Sequence, residues 1–357
     1  MRRPDGQPHG QPRLALRVPP RRRALLGGAL LGLALLLVGG LSSQAAEAKP
    51  SVWQAAKDPE RARAERARVS AERMLSRALM AERLSARSAQ SLERASLAML
   101  ELSEGHGGPA HDYLLGHLLA LHGSDLERAR AVLRRALRRA PDSPVARRAW
   151  FDLGVVSAKL GDGAGEHRAY TQGLSTAWER DLRGNLYLNR AESSMVAGRL
   201  MDALTDYHAA VRAASDPHVQ ALAYWGLAIV RERLGDLPKA LEAAGLAHRI
   251  APNALQLPSV FFVPRYDLHY YQALTFMALG RETTALHERV RWLGQAVSAW
   301  ARYVRAAEAD TEPGAGVWLP NARLHHASCE RQLKEARRAL ASRPRAREAP
   351  APDEDAL

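Results

Sequence analysis

The sequence predicts an all-α array of stacked antiparallel helix pairs, and three observations carry that prediction. A side-chain pattern is written twice between Gly184 and Pro252. It runs first as Tyr187, Ala191, Gly198, Leu200, Ala203, Tyr207 and Ala210. It then recurs as Tyr224, Ala228, Gly235, Leu237, Ala240, Ala244 and Ala247, each residue 37 places after its counterpart. Self-similarity at such a period is the signature of a repeat array. The second observation is a series of turn glycines, Gly123, Gly161, Gly198, Gly235 and Gly280, spaced by 38, 37, 37 and 45 residues. The third is composition. Ala, Leu and Arg dominate and only four Phe occur in 357 residues, which favours helix over strand.

The chain divides into six stretches. Residues 1–48 read as a leader: Arg21-Arg22-Arg23 abuts an apolar run from Ala24 to Leu41, and Ala46-Glu47-Ala48 follows. A positive head, an apolar middle and a small-x-small exit make a secretory signal. The alternative is a retained single-span anchor, with 18 apolar-run residues, five of them Gly, at the lower limit for crossing a bilayer. Either way the basic head stays inside and the remainder is exported. The leader carries net +5 of the formal +13, leaving +8. With no interleaved stacking aromatics that balance describes a solvated surface, not a nucleic-acid footprint. Cys329 is the single cysteine, so no intrachain disulfide is available and the core alone must hold the fold.

Residues 49–108 form an N-terminal helical segment. Apolar residues three and four apart run through Ala64, Ala67, Ala71, Met74 and Ala78 and on to Leu92, Leu97 and Leu100, the spacing of an amphipathic helix. Glu60/Arg63 and Glu65/Arg68 are expected as pairs on its solvated face, and a break near Ser85–Ser91 would turn the stretch into a helix pair. Residues 109–254 hold four helix-pair repeats. Residues 255–310 form an extended, atypical repeat. It opens on an apolar insert around Val260-Phe261-Phe262-Val263 that is expected to pack on an apolar surface, and continues as a long helix from Glu282 to about Ala307. Residues 311–341 supply a polar capping helix with Pro320 in its first turn. Residues 342–357 lack apolar periodicity and read as a disordered tail.

The unit from Ala221 to Pro252, with Tyr224, Leu227, Ala228, Gly235, Leu237, Ala240, Ala247 and Pro252, resembles the tetratricopeptide repeat, and three further copies precede it. The resemblance implies a right-handed superhelical solenoid whose first helices line a concave groove. Carried over residue by residue, the groove positions are Tyr113, Phe151, Val155, Asn185, Leu188, Asn189, Trp225, Ile229, Tyr270 and Tyr271, with His117, Glu192 and Leu274 beside them. Some members of the family hold a C-terminal carboxylate with a clamp of Lys, Arg and Asn. Asn189 matches one clamp position, but the others fall at Phe151, Val155, Leu222 and Gly226, which cannot serve, so no clamp is expected.

Catalysis has no support. The sequence lacks a Gly-rich phosphate loop, a Gly-x-Ser-x-Gly elbow and paired cysteines. His106, His111, His117 and His122 are spaced by 5, 6 and 5, which points them in different directions on a helix. His325 and Cys329, four apart, are two ligands at most and do not complete a zinc site. No metal and no cofactor is expected. The function implied is an exported protein-interaction scaffold, periplasmic or anchored at the inner membrane with its repeats outside the cytoplasm. It would bind peptide or helical segments of cell-envelope proteins and touch the membrane only through an uncleaved leader. The alternatives are a homo-oligomeric assembly component joined through the helices at 60–103 and 282–307, or an accessory subunit of an envelope enzyme.

Overall fold

A computed structural model describes residues 57–82, 86–123, 125–257, 260, 264–311 and 316–342. The expected leader, the expected disordered tail and most of the apolar insert lie outside these residues. Among the described residues there are thirteen α-helices and no strand, and no helix is long and apolar enough to cross a membrane. The fold is all-α, built of stacked antiparallel helix pairs.

The first pair is α1 (Pro59–Glu82) and α2 (Ala86–Glu101), so α2 begins where the expected break lies. Ser96 Oγ of α2 donates to the Ala71 carbonyl of α1. The expected surface pairs are only partly right. Arg68 does pair with Glu65, but also with Glu72, and it is half-buried. Glu60 turns to His106, 2.8 Å away, rather than to Arg63. The repeats follow as α3 (Pro109–His122), α4 (Leu126–Arg139), α5 (Pro144–Lys159), α6 (Gly163–Thr176), α7 (Arg180–Val196), α8 (Leu200–Ala213), α9 (Pro217–Arg233) and α10 (Leu237–Ile250). After a 3-10 turn at Ala254–Gln256 come α11 (Asp267–Glu282), α12 (Leu286–Ala309) and α13 (Leu319–Ala341).

The turns explain the period. Gly123, Gly161, Gly198 and Gly235 all take positive φ, from 63° to 85°, a region costly for any residue with a Cβ. The next helix is then started by a capping carboxylate: Asp125, Asp162 and Asp236 accept the backbone N–H of Arg128, Gly165 and Lys239, satisfying a donor that the helix itself leaves open. Gly280 departs from this expectation. It sits inside α11, buried, and a Cβ there would lie 3.5 Å from Leu293 and from Trp292. The turn is made instead by Thr283 to Ala285, so the long helix starts at Leu286 and not at Glu282.

Small residues permit close packing. At Gly154 a Cβ would run into the ring of Tyr170, which is 1 % exposed and has nowhere to go. Gly154→Ala is expected to destabilise by about 1–3 kcal/mol through overpacking, read as a lower denaturation midpoint with an unchanged m-value.

The described chain forms two compact units. The first spans residues up to Val219 and includes Gln256, Leu257, Val260 and Thr311; the second holds Gln220–Leu255 and the described residues of 262–310 and 316–357. Their internal order differs. In the first unit His117 meets Asp152 and Ala120 meets Lys159. Contacts therefore advance in the same order along α3 and α5, which run parallel, as first helices of successive pairs do when every connection is short. In the second unit the order inverts. Trp225 meets Thr275, while Glu232, further along α9, meets Tyr270, earlier in α11. Arg249, at the end of α10, pairs with Glu282, at the end of α11. Helix α11 thus runs antiparallel to α9. The longer connection from Ala251 to Tyr266 gives the chain room to reverse, so the last pair does not continue the direction of the α9–α10 pair before it.

Candidate functional site

In the first unit, Tyr113 and His117 on α3 share one face by their i, i+4 spacing, as do Phe151 and Val155 on α5. The structure closes this face. Tyr113, Phe151 and Val155 are at most 1 % exposed and His117 is 2 % exposed. His117 Nδ1 donates to Asp152 Oδ2 at 2.9 Å, joining the first helices of two successive pairs through side chains that are 2 % and 0 % exposed. The Tyr113 ring tilts onto His117 at 5.8 Å, and Phe151 meets Tyr170 at 6.1 Å. Burial holds the Tyr113 hydroxyl well above the usual phenol range, and the neighbouring Asp152 carboxylate adds to the shift.

On α7 the inner positions are more open. Leu188 is buried, whereas Asn185, Asn189 and Glu192 are only half-buried. Asn185 Nδ2 donates to the Asp181 carbonyl and Asn189 Nδ2 to the Asn185 carbonyl, so both amides are tied to their own helix. Nearby stands a carboxyl that the sequence reading passed over. Glu166 is the fourth residue of α6, and the fourth residues of α4, α8 and α10 are Ala129, Ala203 and Ala240, all 0 % exposed. Burial pushes Glu166 up to about 8, helped by the charge of Glu192 and opposed by a hydrogen bond from Ser193. The signal was available: an acid at the small-residue position of an otherwise alanine series.

In the second unit Trp225, Ile229, Tyr270 and Tyr271 are 1, 1, 1 and 7 % exposed. Trp225 Nε1 donates to Thr275 Oγ1 at 2.9 Å. One helical turn beyond Ile229 on the same face lies Glu232, also missed from sequence although the i, i+4, i+7 spacing places it there. It is 4 % exposed and fully engaged. Tyr270 Oη donates to Oε2 at 2.6 Å, and Asn321 Nδ2 and His325 Nε2 of α13 donate to Oε1 at 3.0 and 2.8 Å. Burial alone would raise its pKa, but the donors from His325, Tyr270 and Asn321 outweigh it and hold the carboxyl below its ordinary range. Tyr270 sets its edge against Trp300 and Tyr303, and His325 lies against Trp300 at 5.3 Å. The Arg233 guanidinium stacks over Trp318 at 4.4 Å. His325 is therefore committed to Glu232 rather than paired with Cys329, and no group of three metal-ligating side chains occurs among the described residues.

Of the ten groove positions expected from sequence, the structure buries eight and leaves Asn185 and Asn189 partly exposed. The clamp arrangement is missing its partners, since Phe151 and Val155 stand at two of its positions, both buried.

The similarity of the described fold to solved structures is in each case low in identity. To a chain of the anaphase-promoting-complex hetero-tetramer Cut9–Hcn1 the identity is 12 % and the TM-score 0.46, covering 86 % of this chain and 46 % of that one. The present chain thus spans about half the length of that relative. For BtubC from P. vanneervenii the identity is 16 % and the TM-score 0.38, with coverages of 81 % and 96 %. For the TPR2AB domain of yeast Sti1 in its complex with pHSP90 they are 14 % and 0.23, with coverages of 75 % and 98 %. No similar sequence is found among curated proteins. The sequence model of the tetratricopeptide repeat matches residues 112–174 and 188–254, the same residues whose turn glycines and small-residue contacts are described above. The chain therefore carries tetratricopeptide repeats from α3 to α10.

Proposed function

We propose that this protein is an exported interaction scaffold whose repeats bind peptide or helical segments of cell-envelope proteins, acting by binding and carrying no catalytic step. The observation that supports this reading most is the repeat array itself. It presents successive first helices side by side, and such surfaces take extended or helical segments. The open part of the inner face is on α7, where Asn185, Asn189 and Glu192 offer amide and carboxylate groups. Export follows from the Arg-headed apolar run at residues 21–41 with its small-x-small exit at Ala46-Glu47-Ala48.

The test is photo-crosslinking in cells from a benzoylphenylalanine placed at Asn189, with mass spectrometry of the captured chains and N-terminal sequencing of the mature protein. The expected products are extracytoplasmic proteins captured from Asn189 and not from the exposed Arg212 on α8. Capture of cytoplasmic proteins alone would overturn the export, and an identical pattern from both positions would overturn the binding face.

A second reading, a homo-oligomer, is favoured by one feature. Val317, two residues before α13, and Leu324 within it are large apolar side chains left 48 % and 71 % exposed. Light scattering that returns a monomer at all concentrations removes it.

A further inference from the structure

The net charge of the chain is concentrated in one place. Residues 331–347 hold Arg331, Lys334, Arg337, Arg338, Arg343, Arg345 and Arg347 against a single acid, Glu335, a net of +6 in 17 residues. Outside the leader the whole chain carries only +8, so its other stretches taken together are nearly balanced. The first four of these cations lie on α13. That helix is seated on α12 by its opposite face: Leu333 and Ala336 cluster with Leu293, His325 lies against Trp300, and Cys329 is buried. Arg331, Lys334, Arg337 and Arg338 are all exposed. The ion pairs of α13 are made by Arg323, His325 and His326, and none by these four.

Two ordinary explanations fall short. A cation in a last helical turn answers the helix dipole, but only Arg338 stands in the last turn of α13. Arginines elsewhere are tied to acids, as on α4, where Arg128, Arg130, Arg135 and Arg139 all pair; those on the outer face of α13 tie nothing. The same stripe carries an apolar side chain. Leu324, Arg331 and Arg338 are spaced by seven, which on a helix brings them into line within about 40°, and Leu324 is 71 % exposed. Unpaired cations along a helix with a large apolar group among them suit an anionic bilayer, the charges at the phosphates and the apolar side chain between the headgroups. A single-stranded nucleic acid would be met with stacking rings, and residues 319–347 contain no Phe, Tyr or Trp.

We infer that the outer face of α13 is a docking surface for an anionic phospholipid bilayer, with Arg331, Lys334 and Arg338 on the headgroup phosphates and Leu324 inserted between them. The helix stays seated on α12 throughout. This contact goes beyond the protein contact proposed for α7 and does not depend on it.

The test places an environment-sensitive fluorophore on this face in the full chain. Ala327→Cys supplies an exposed thiol one turn from Leu324. Cys329 is buried and its own thiol is pushed up to about 11, so the label goes to the new position. The apolar run at 24–41 can hold the chain on any vesicle, whereas the label reads α13 alone. The expected result is a blue shift with mixed phosphatidylglycerol–phosphatidylcholine vesicles and none with phosphatidylcholine alone. It should reverse at 1 M salt, where the screening length falls to about 3 Å. Arg331→Gln, Lys334→Gln and Arg338→Gln together should lower the docked-to-undocked ratio about 100-fold, at about fivefold per cation, and Leu324→Ser about tenfold. Arg134→Gln, Arg138→Gln and Arg168→Gln remove the same charge from exposed positions on α4 and α6 and should leave the ratio within about twofold.

An equal shift on phosphatidylcholine, or an α4–α6 triple variant that weakens docking as much as the α13 triple, overturns the proposal. A Leu324→Ser variant that docks unchanged does the same. Duplex DNA that displaces the vesicles at a lower charge concentration than theirs would make the face a site for any polyanion and also overturns the lipid assignment.

Discussion

Replacing Asp152 by alanine is expected to lower the stability of the first unit by about 1–3 kcal/mol, the cost of leaving a buried hydrogen-bonding group without its partner. Asp152 and His117 are 0 % and 2 % exposed, so the imidazole left behind can recruit neither water nor another acceptor. The pair is also a polar tie between α3 and α5, beside the hydrogen bond from Lys159 to the Ala120 carbonyl. His117→Ala should cost a similar amount, because it strands the carboxylate. The double variant His117→Phe, Asp152→Leu should recover most of the loss, since exchanging both partners for apolar groups of comparable volume removes the desolvation penalty along with the attraction. Urea denaturation of the four proteins closes the cycle. A double variant as unstable as the sum of the single ones would show that the pair is not the source of the effect.

The opposite sign is expected at Glu166. Its folded pKa of about 8 lies above the ordinary 4.5, so the folded state holds a proton that the unfolded chain has lost. Stability from this group is present in full below about 4.5, declines as the pH rises from there to 8, and is flat above. Glu166→Ala, matching Ala129, Ala203 and Ala240, removes that loss. It is expected to stabilise the protein by about 2–4 kcal/mol at pH 9, at roughly 1.4 kcal/mol per pKa unit less the part screened by solvent. At pH 4.5 the same substitution should bring little gain. Thermal melts from pH 4.5 to 9.5 check this. A difference between the two proteins that does not change with pH would refute the assignment of a half-buried, protonated Glu166.

Much of this fold is written locally, and what is local was legible. The turn glycines at 123, 161, 198 and 235 need a left-handed backbone, and the aspartates after three of them cap the next helix; both signals lie within a few residues of the turn they make. Gly280 failed because a glycine inside a helix looks the same in sequence as one at a turn, and only the lengthened interval of 45 residues hinted at the difference. The face of each first helix was also legible from its i, i+4 spacing. Whether that face is open was not, because its cover comes from far along the chain: Asn321 and His325 reach Glu232 across about ninety residues. Asp152 escaped for a similar reason. As a partner for His117 it lies 35 residues away, on a different helix, with no local pattern to link them.

The reversed direction of α11 also sets which way this array can grow. Repeats of one polarity add to each other end to end, because each leaves an edge that the next copy of the same unit fits. A final pair laid down with opposite polarity offers no such edge. Duplicating a repeat unit such as 163–199 upstream should therefore lengthen the stack without loss of folding, whereas a unit appended after α12 would meet a mismatched surface. Helix α11 acts as a terminator written into the chain by the length of one connection.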